Sequence, residues 1–246
     1  MGVFAGIEPT WAAQTNVGRT HIATKGIVQS GLVLNLDAGA STSYPGSGST
    51  WTDLSSLGNN GSLIQGPSYN SNNGGSLVFN GISNYVSLSS SIIGTDEPFT
   101  YEIAVYRTGN GTNWPRFFIN GGVNSSITIT QYNDTTGVLF RLTTSKGGYD
   151  EYNLPSGTLV NNQWVCLSFT SNTSSRQMNA YINGVKYGNG TNTNDSAAPS
   201  TSTSSIGGDS SSSWEGRIAY ARMYNRTLTQ AEIQQNFNAT RSRFAI

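Results

Sequence analysis

Acid–base chemistry in this chain would have to come from few residues. Thirteen Asp and Glu side chains occur in 246 residues, and cleaving a glycosidic bond needs two at a controlled separation, one with a raised pKa. Here the acids stand alone or as immediate neighbours, Asp96-Glu97 and Asp150-Glu151. Neighbours on a strand face opposite sides of a sheet. Glu102 lies within the strongly alternating run PFTYEIAVYR, on its polar side, and is expected to be solvated or to make a single ion pair. His21 is the only histidine, so no Ser-His-Asp group can be built without it. It falls in the N-terminal stretch and is expected to be a surface residue. Cys166 is also single, which excludes an internal disulfide and a cysteine zinc site. In QWVCLSF it points away from Val165, Leu167 and Phe169, with no basic neighbour to activate it, as a buried structural residue would. Neither a Gly-rich phosphate loop nor EF-hand spacing is present. No catalytic residue, metal site or cofactor is expected.

Aromatic rings offer a different chemistry. Trp114 in GTNWPRF, and Tyr149 with Tyr152 in KGGYDEYNLP, lie among hydrogen-bonding residues in loop-like stretches. Rings so placed can hold a sugar, and all three are candidate glycan-binding residues. Their plainer role is to cap the ends of the fold, which is preferred. In SYPGSGSTWTDLSSLGNNGSL the same question attaches to Trp51 and Asp53. An adjoining Leu54 favours a pinned loop: Trp51 and Leu54 bury area while Asp53 accepts backbone N–H bonds in the turn that follows.

Most of the elements that must position these groups are strands. GLVLNLD sets Leu32, Leu34 and Leu36 on one face, and PFTYEIAVYR sets Phe99, Tyr101, Ile103 and Val105 against Thr100, Glu102 and Ala104. SSITITQY, GVLFRLTT, QWVCLSFT and RQMNAYINGVKY repeat the period of two. Asn183-Gly184 is the strongest hairpin signal, since both residues tolerate positive φ. One helix is expected in RTLTQAEIQQNFNATR, with Thr229 and Glu232 as a capping box, Leu228 and Ile233 as a staple, and Ile233 with Phe237 as its apolar stripe. It would act as a terminal clasp. Residues 1–30 lack a burying period and read as an N-terminal docking arm, with Val3, Phe4, Ile7, Pro9 and Trp11 as candidate partner-binding anchors. Residues 31–246 form the domain proper.

The composition narrows the partners. Thirteen basic residues balance the thirteen acids, and only 11% of the chain is charged. That leaves no electrostatic footprint for nucleic acid or an anionic membrane. No apolar run is long enough to span a bilayer. The start, MGVFAGIEPTWAAQ, lacks the regions of a secretory signal, which predicts either no secretion by the usual route or release by lysis.

The order GLVLNLDAG, SYPGSGSTWTDLSSLGNNGSL, GGSLVFNGISNYVSL, FTYEIAVYR, QWVCLSFT, AYINGVKYG and WEGRIAYARMYNRTLTQAEIQQNF resembles the laminin-G-like, concanavalin-A-like jelly-roll domains of tailed-bacteriophage virion proteins. The resemblance covers about residues 27–246. It implies an all-β, antiparallel β-sandwich with a short C-terminal helix, usually without catalysis. Members of this fold that hydrolyse glucans carry a Glu-x-Asp-x-Glu run, which is absent here. Many relatives have Asp-Asp where this chain has Ser83-Asn84, and the loss of two hard anionic oxygens argues against a calcium site.

The expectation is a non-enzymatic virion structural protein, a capsid decoration or cement protein on the outer surface. Its arm would dock on capsid or other virion subunits, and it would be a homo-oligomer within the particle. The alternative is a glycan-binding adhesin of a tail or head fibre that meets a host surface glycan, and a glycoside hydrolase is the remote one.

Overall fold

In the computed structural model the described residues are 26–89, 91–94, 97–111, 114–120, 127–132, 136–143, 148–172, 174–175, 177–191 and 204–246. Val3, Phe4, Ile7, Pro9, Trp11 and His21 therefore lie outside them.

In chain order the strands are β1 (Leu32–Asp37), β2 (Thr50–Trp51), β3 (Gly61–Ile64), β4 (Ser68–Asn70), β5 (Ser76–Asn80) and β6 (Tyr85–Leu88). There follow β7 (Phe99–Arg107), β8 (Arg116–Asn120), β9 (Ile127–Tyr132), β10 (Gly137–Thr143) and β11 (Tyr149–Leu154). The last are β12 (Trp164–Asn172), β13 (Gln177–Ile182), β14 (Val185–Thr191), β15 (Ser204–Ile206) and β16 (Glu215–Tyr224), before helix α1 (Gln230–Thr240). One eight-stranded sheet runs β14-β13-β12-β7-β16-β5-β4, with β1 also on β16. The other runs β11-β10-β9-β8-β15-β6-β3-β2. Long-range antiparallel pairing of this kind is that of a jelly-roll sandwich.

The alternating strands meet face to face. Leu34, Leu36, Tyr101, Ile103, Phe140, Phe169 and Trp214 belong to one core, and Tyr101 stacks on Phe118 at 4.3 Å between centroids. Strict alternation fails where a bulge intervenes. Between Leu32 and Leu34 the register of β1 against β16 shifts. Val33 joins the main core, and Leu32 packs with Val28, Tyr224 and Ile233 on the far side of the sheet. A bulge turns the strand by one residue, so Leu32 does not share a face with Leu34 and Leu36 as expected.

That far side carries a third layer. Thr229 caps α1, its side chain accepting from the Glu232 N–H while the Glu232 carboxylate accepts from the Thr229 N–H at 2.9 Å. Ile233 and Phe237 are buried against the first sheet, as their spacing predicts. Phe244, past the helix, lies 4.7 Å from the Trp164 ring. Residues 26–30 pack here too: the Val28 N–H donates to Asn236 Oδ1 at 2.8 Å, and Val28 is buried. The last part of the expected arm is thus joined to the domain by a main-chain hydrogen bond.

Glu102 sits beneath this layer, 3% exposed, so it is neither solvated nor held by one ion pair. Its carboxylate accepts from Asn236 Nδ2 at 2.9 Å and from Ser168 Oγ at 3.4 Å. Burial lifts its pKa to about 7, against the opposing pull of the Arg222 guanidinium. Cys166 is buried in the same seam, and its thiol is pushed up to about 11, chiefly by burial. Basic neighbours are present, contrary to expectation: Arg222 and Arg243 pull the thiol the other way, and burial outweighs them.

The 43–63 stretch is a pinned loop. Trp51 is fully buried in the core. Asp53 accepts from the backbone N–H groups of Asn35 at 2.8 Å and of Ser55 and Asn59 at 2.9 Å. Leu54, however, is 37% exposed, because the turn that Asp53 organises directs it outward. Asn84 is buried. It accepts from the Asn80 N–H and donates to the Gln65 carbonyl at 2.6 Å, clamping two loops.

Candidate functional site

Strands β9, β10 and β11 end the second sheet, and their alternation gives it two unlike faces. Ile127, Ile129, Val138, Phe140, Leu142 and Leu154 face the core. The residues between them, including Thr128, Tyr132, Arg141, Thr143, Tyr149, Glu151 and Asn153, face outward, while Thr130 and Leu139, paired midway along that face, are themselves buried. Pairing sets Arg141 between Thr128 and Glu151, and Thr143 opposite Tyr149. Arg141 Nε donates to Glu151 Oε1 at 2.6 Å, and the guanidinium carbon lies 4.4 Å from the Tyr149 ring centre. A cation over the ring face steadies the tyrosine, which stays 56% exposed.

At the other end of the same face Trp114 meets Tyr132 edge-on, with centroids 5.6 Å apart and planes at 89°. Trp114 has φ of 59° and is 40% exposed. A left-handed backbone at a bulky residue costs about 1–3 kcal/mol, and the buried part of the ring, packed against Tyr132, offsets it. Tyr132 pairs with Gly137 and Tyr149 with Thr143, which separates the two aromatic ends by about 20 Å along β10.

Tyr152 lies on the inner side of β11, half-buried against the core. Its pKa is raised by burial and then by Tyr187. Gly188 leaves room for its hydroxyl, which a Cβ there would strike. Tyr152 therefore closes the seam between β11 and β14, away from the surface that Trp114 and Tyr149 share. Tyr132 and Arg141 complete that surface without having been anticipated. The alternation of SSITITQY carries the signal for Tyr132, since it puts Thr128, Thr130 and Tyr132 on one side.

The acids do not assemble as a catalytic pair on this face. Asp150 is buried on the inner side of β11, and Glu151 is paired with Arg141. Among the described residues no three His, Cys, Asp or Glu side chains gather as a metal site would require. No helix among them is long and apolar enough to cross a membrane.

Two packed sheets, one of them carrying exposed aromatics at both ends of its outer face, define a lectin-like jelly-roll domain. The chain belongs to the laminin-G-like domains of the concanavalin A-like lectin/glucanase superfamily, whose family model matches residues 79–234. No curated protein sequence matches the chain. Similar solved structures include the binding domain of Paraclostridial Mosquitocidal Protein 1, with a TM-score of 0.68 at 16% identity, covering 85% of this chain and 52% of that one. The binding domain of botulinum neurotoxin DC in complex with SialylT gives 0.65 at 13% identity, covering 86% and 52%. Domain 4 of AbnA, an extracellular arabinanase of Geobacillus stearothermophilus, in complex with arabinotriose, gives 0.64 at 18% identity, covering 83% and 97%. The chain thus spans about half of the toxin domains and nearly all of the arabinanase domain. At these identities the likeness is one of fold.

Proposed function

We propose that the chain is a non-catalytic carbohydrate-binding module whose ligand lies along the outer face of β9, β10 and β11. The observation that carries this is the pair of exposed aromatic ends, Trp114 with Tyr132 and Tyr149 with Arg141, on one side of the sheet. Rings stack on the apolar faces of sugars while Thr128, Thr143, Glu151 and Asn153 meet their hydroxyls. The separation of the ends suits an extended oligosaccharide. The arabinotriose complex of the arabinanase domain and the SialylT complex of the toxin domain support this choice of ligand class.

A glycan array followed by calorimetry is expected to find at least one oligosaccharide with Kd at or below about 1 mM. Trp114→Ala or Tyr149→Ala should weaken it about tenfold. An array without a binder, or a binder indifferent to both substitutions, would remove the reading.

The setting we propose is the outer surface of a phage particle, with the module decorating a capsid or riding on a fibre and docked through Val3, Phe4, Ile7, Pro9 and Trp11. The SYPGSGSTWTDLS and ARMYNRTLTQAEI blocks favour it by their resemblance to virion proteins. Docking on capsid or other virion subunits, as a homo-oligomer, follows from that setting. Locating the protein in purified particles by imaging, with and without residues 2–25, tests it: normal occupancy without them would place attachment on the sandwich.

A further inference from the structure

A cleft of about 400 Å³ opens between the 155–163 loop and the β13–β14 hairpin, within the size range of ligand sites. None of its lining residues belongs to the sheet face described above. Both walls are fixed by hydrogen bonds. In the loop, the Gly157 N–H donates to Thr136 Oγ1 at 2.6 Å, the Leu159 N–H to the Thr136 carbonyl at 2.7 Å, and the Asn162 N–H to the Arg107 carbonyl at 2.9 Å. In the hairpin, Asn183 exchanges two bonds with the Cys166 backbone, at 2.8 and 2.9 Å, and Gln230 Nε2 holds the Gly184 carbonyl.

A bulge supplies the ring. Ala180 pairs with Gly188 and Tyr181 with Lys186, so Tyr187 is the extra residue, and a bulge re-aims the side chain it inserts. Tyr187 stays 50% exposed on the rim, with Val160 at 43%. Hydrogen-bonding capacity is left over around it. Among the described residues the Ser156 hydroxyl, the Gln163 carboxamide and Asn183 Nδ2 have no protein partner. Trp164 also lines the cleft, its ring packed against Tyr106 and Phe244. No Lys, Arg, Asp or Glu lines the cleft.

A ring beside unpartnered neutral donors and acceptors, with no charge, matches one ligand class well. A charged ligand would find no counter-ion, and a purely apolar one would bury polar groups without partners. We infer that the cleft is a second binding site, for a neutral sugar or short neutral oligosaccharide. Tyr187 is its platform, and Ser156, Gln163 and Asn183 are its hydrogen-bonding partners. The site shares only the ligand class with the sheet face.

The test is an amide NMR titration of the full chain with arabinotriose, xylotriose, maltotriose and chitotriose, and with sialyllactose as the charged comparison. At least one neutral trisaccharide is expected to shift the amides of residues 156–163 and 183–187. Tyr187→Ala and Gln163→Ala should each weaken that binding about tenfold or more, while Ile82→Ser, an exposed site on another loop, should leave it unchanged. No shift in those segments with any probe overturns the site. So do shifts that survive both substitutions, or tighter binding of sialyllactose there. Shifts on residues 128–132, 137–143 and 149–153 report the sheet face separately, so failure at either place is read without the other.

Discussion

At the scale of single residues, Glu102 has the clearest energetic consequence. The charged and titratable groups around it are Tyr220, Arg222 and Tyr224 on β16 and Cys166 on β12, with Asn236 of α1 as a neutral donor. Because burial raises its pKa from the usual 4.5 to about 7, the folded state holds the proton more tightly than the unfolded one. Its contribution is therefore fully present below about pH 4.5 and is lost as the pH rises through 7. Glu102→Gln removes that titration. In urea unfolding at pH 5 and pH 8, the variant is expected to gain stability relative to the parent as the pH rises. A difference that does not change with pH would mean that the carboxyl is not held beneath the helix. The inward side of PFTYEIAVYR was legible in the sequence, since Phe99, Tyr101, Ile103 and Val105 all reach the core. What covers its other side was not. Alternation records that two faces differ, and it is silent on whether the polar one meets water or a helix from far along the chain.

Among the elements, α1 was the most readable, because caps and stripes are local. Arg226 adds a partner that no capping rule anticipates, with its guanidinium 2.6 Å from the Glu232 carboxylate. Hydrogen bonding from Arg226 is the first reason that the Glu232 pKa falls to about 2, with the Thr229 bonds adding to it. Replacing Thr229 and Glu232 together by Ala is expected to cost about 1–2 kcal/mol. In the parent, the part owed to Glu232 is present above its usual pKa near 4.5 and fades as the pH falls toward 2. Melting of the double variant that matches the parent at pH 7 would show that the cap does not hold the helix down. The β13–β14 hairpin was legible for the same local reason, as Asn183 and Gly184 have φ of 51° and 76°. The bulge at Tyr187 was not, since it is a property of the register between two strands, and one strand's sequence does not fix it.

For the molecule as a whole, the order of motifs announced the sandwich, but the boundary of its N-terminal segment needed coordinates. Val28 is buried, and the hydrogen bond from its N–H to Asn236 links residues 26–30 to the same side chain that holds Glu102. Deleting residues 2–25 leaves that link in place, whereas deleting residues 2–30 removes it. The longer deletion is expected to be less stable than the shorter by about 1–3 kcal/mol. Equal melting temperatures for the two would show that Val28 does not secure the helix.

The N-terminal link, α1 and Phe244 all lie on the outer side of the first sheet, while Trp114, Tyr132 and Tyr149 look out from the second. Any support gripped through either of these chain segments would therefore stand behind the module, with the aromatic face turned away from it. An array of copies mounted in this way would present every ring in one direction. Millimolar contacts, too weak for one copy to hold a partner, would then act together through their shared local concentration.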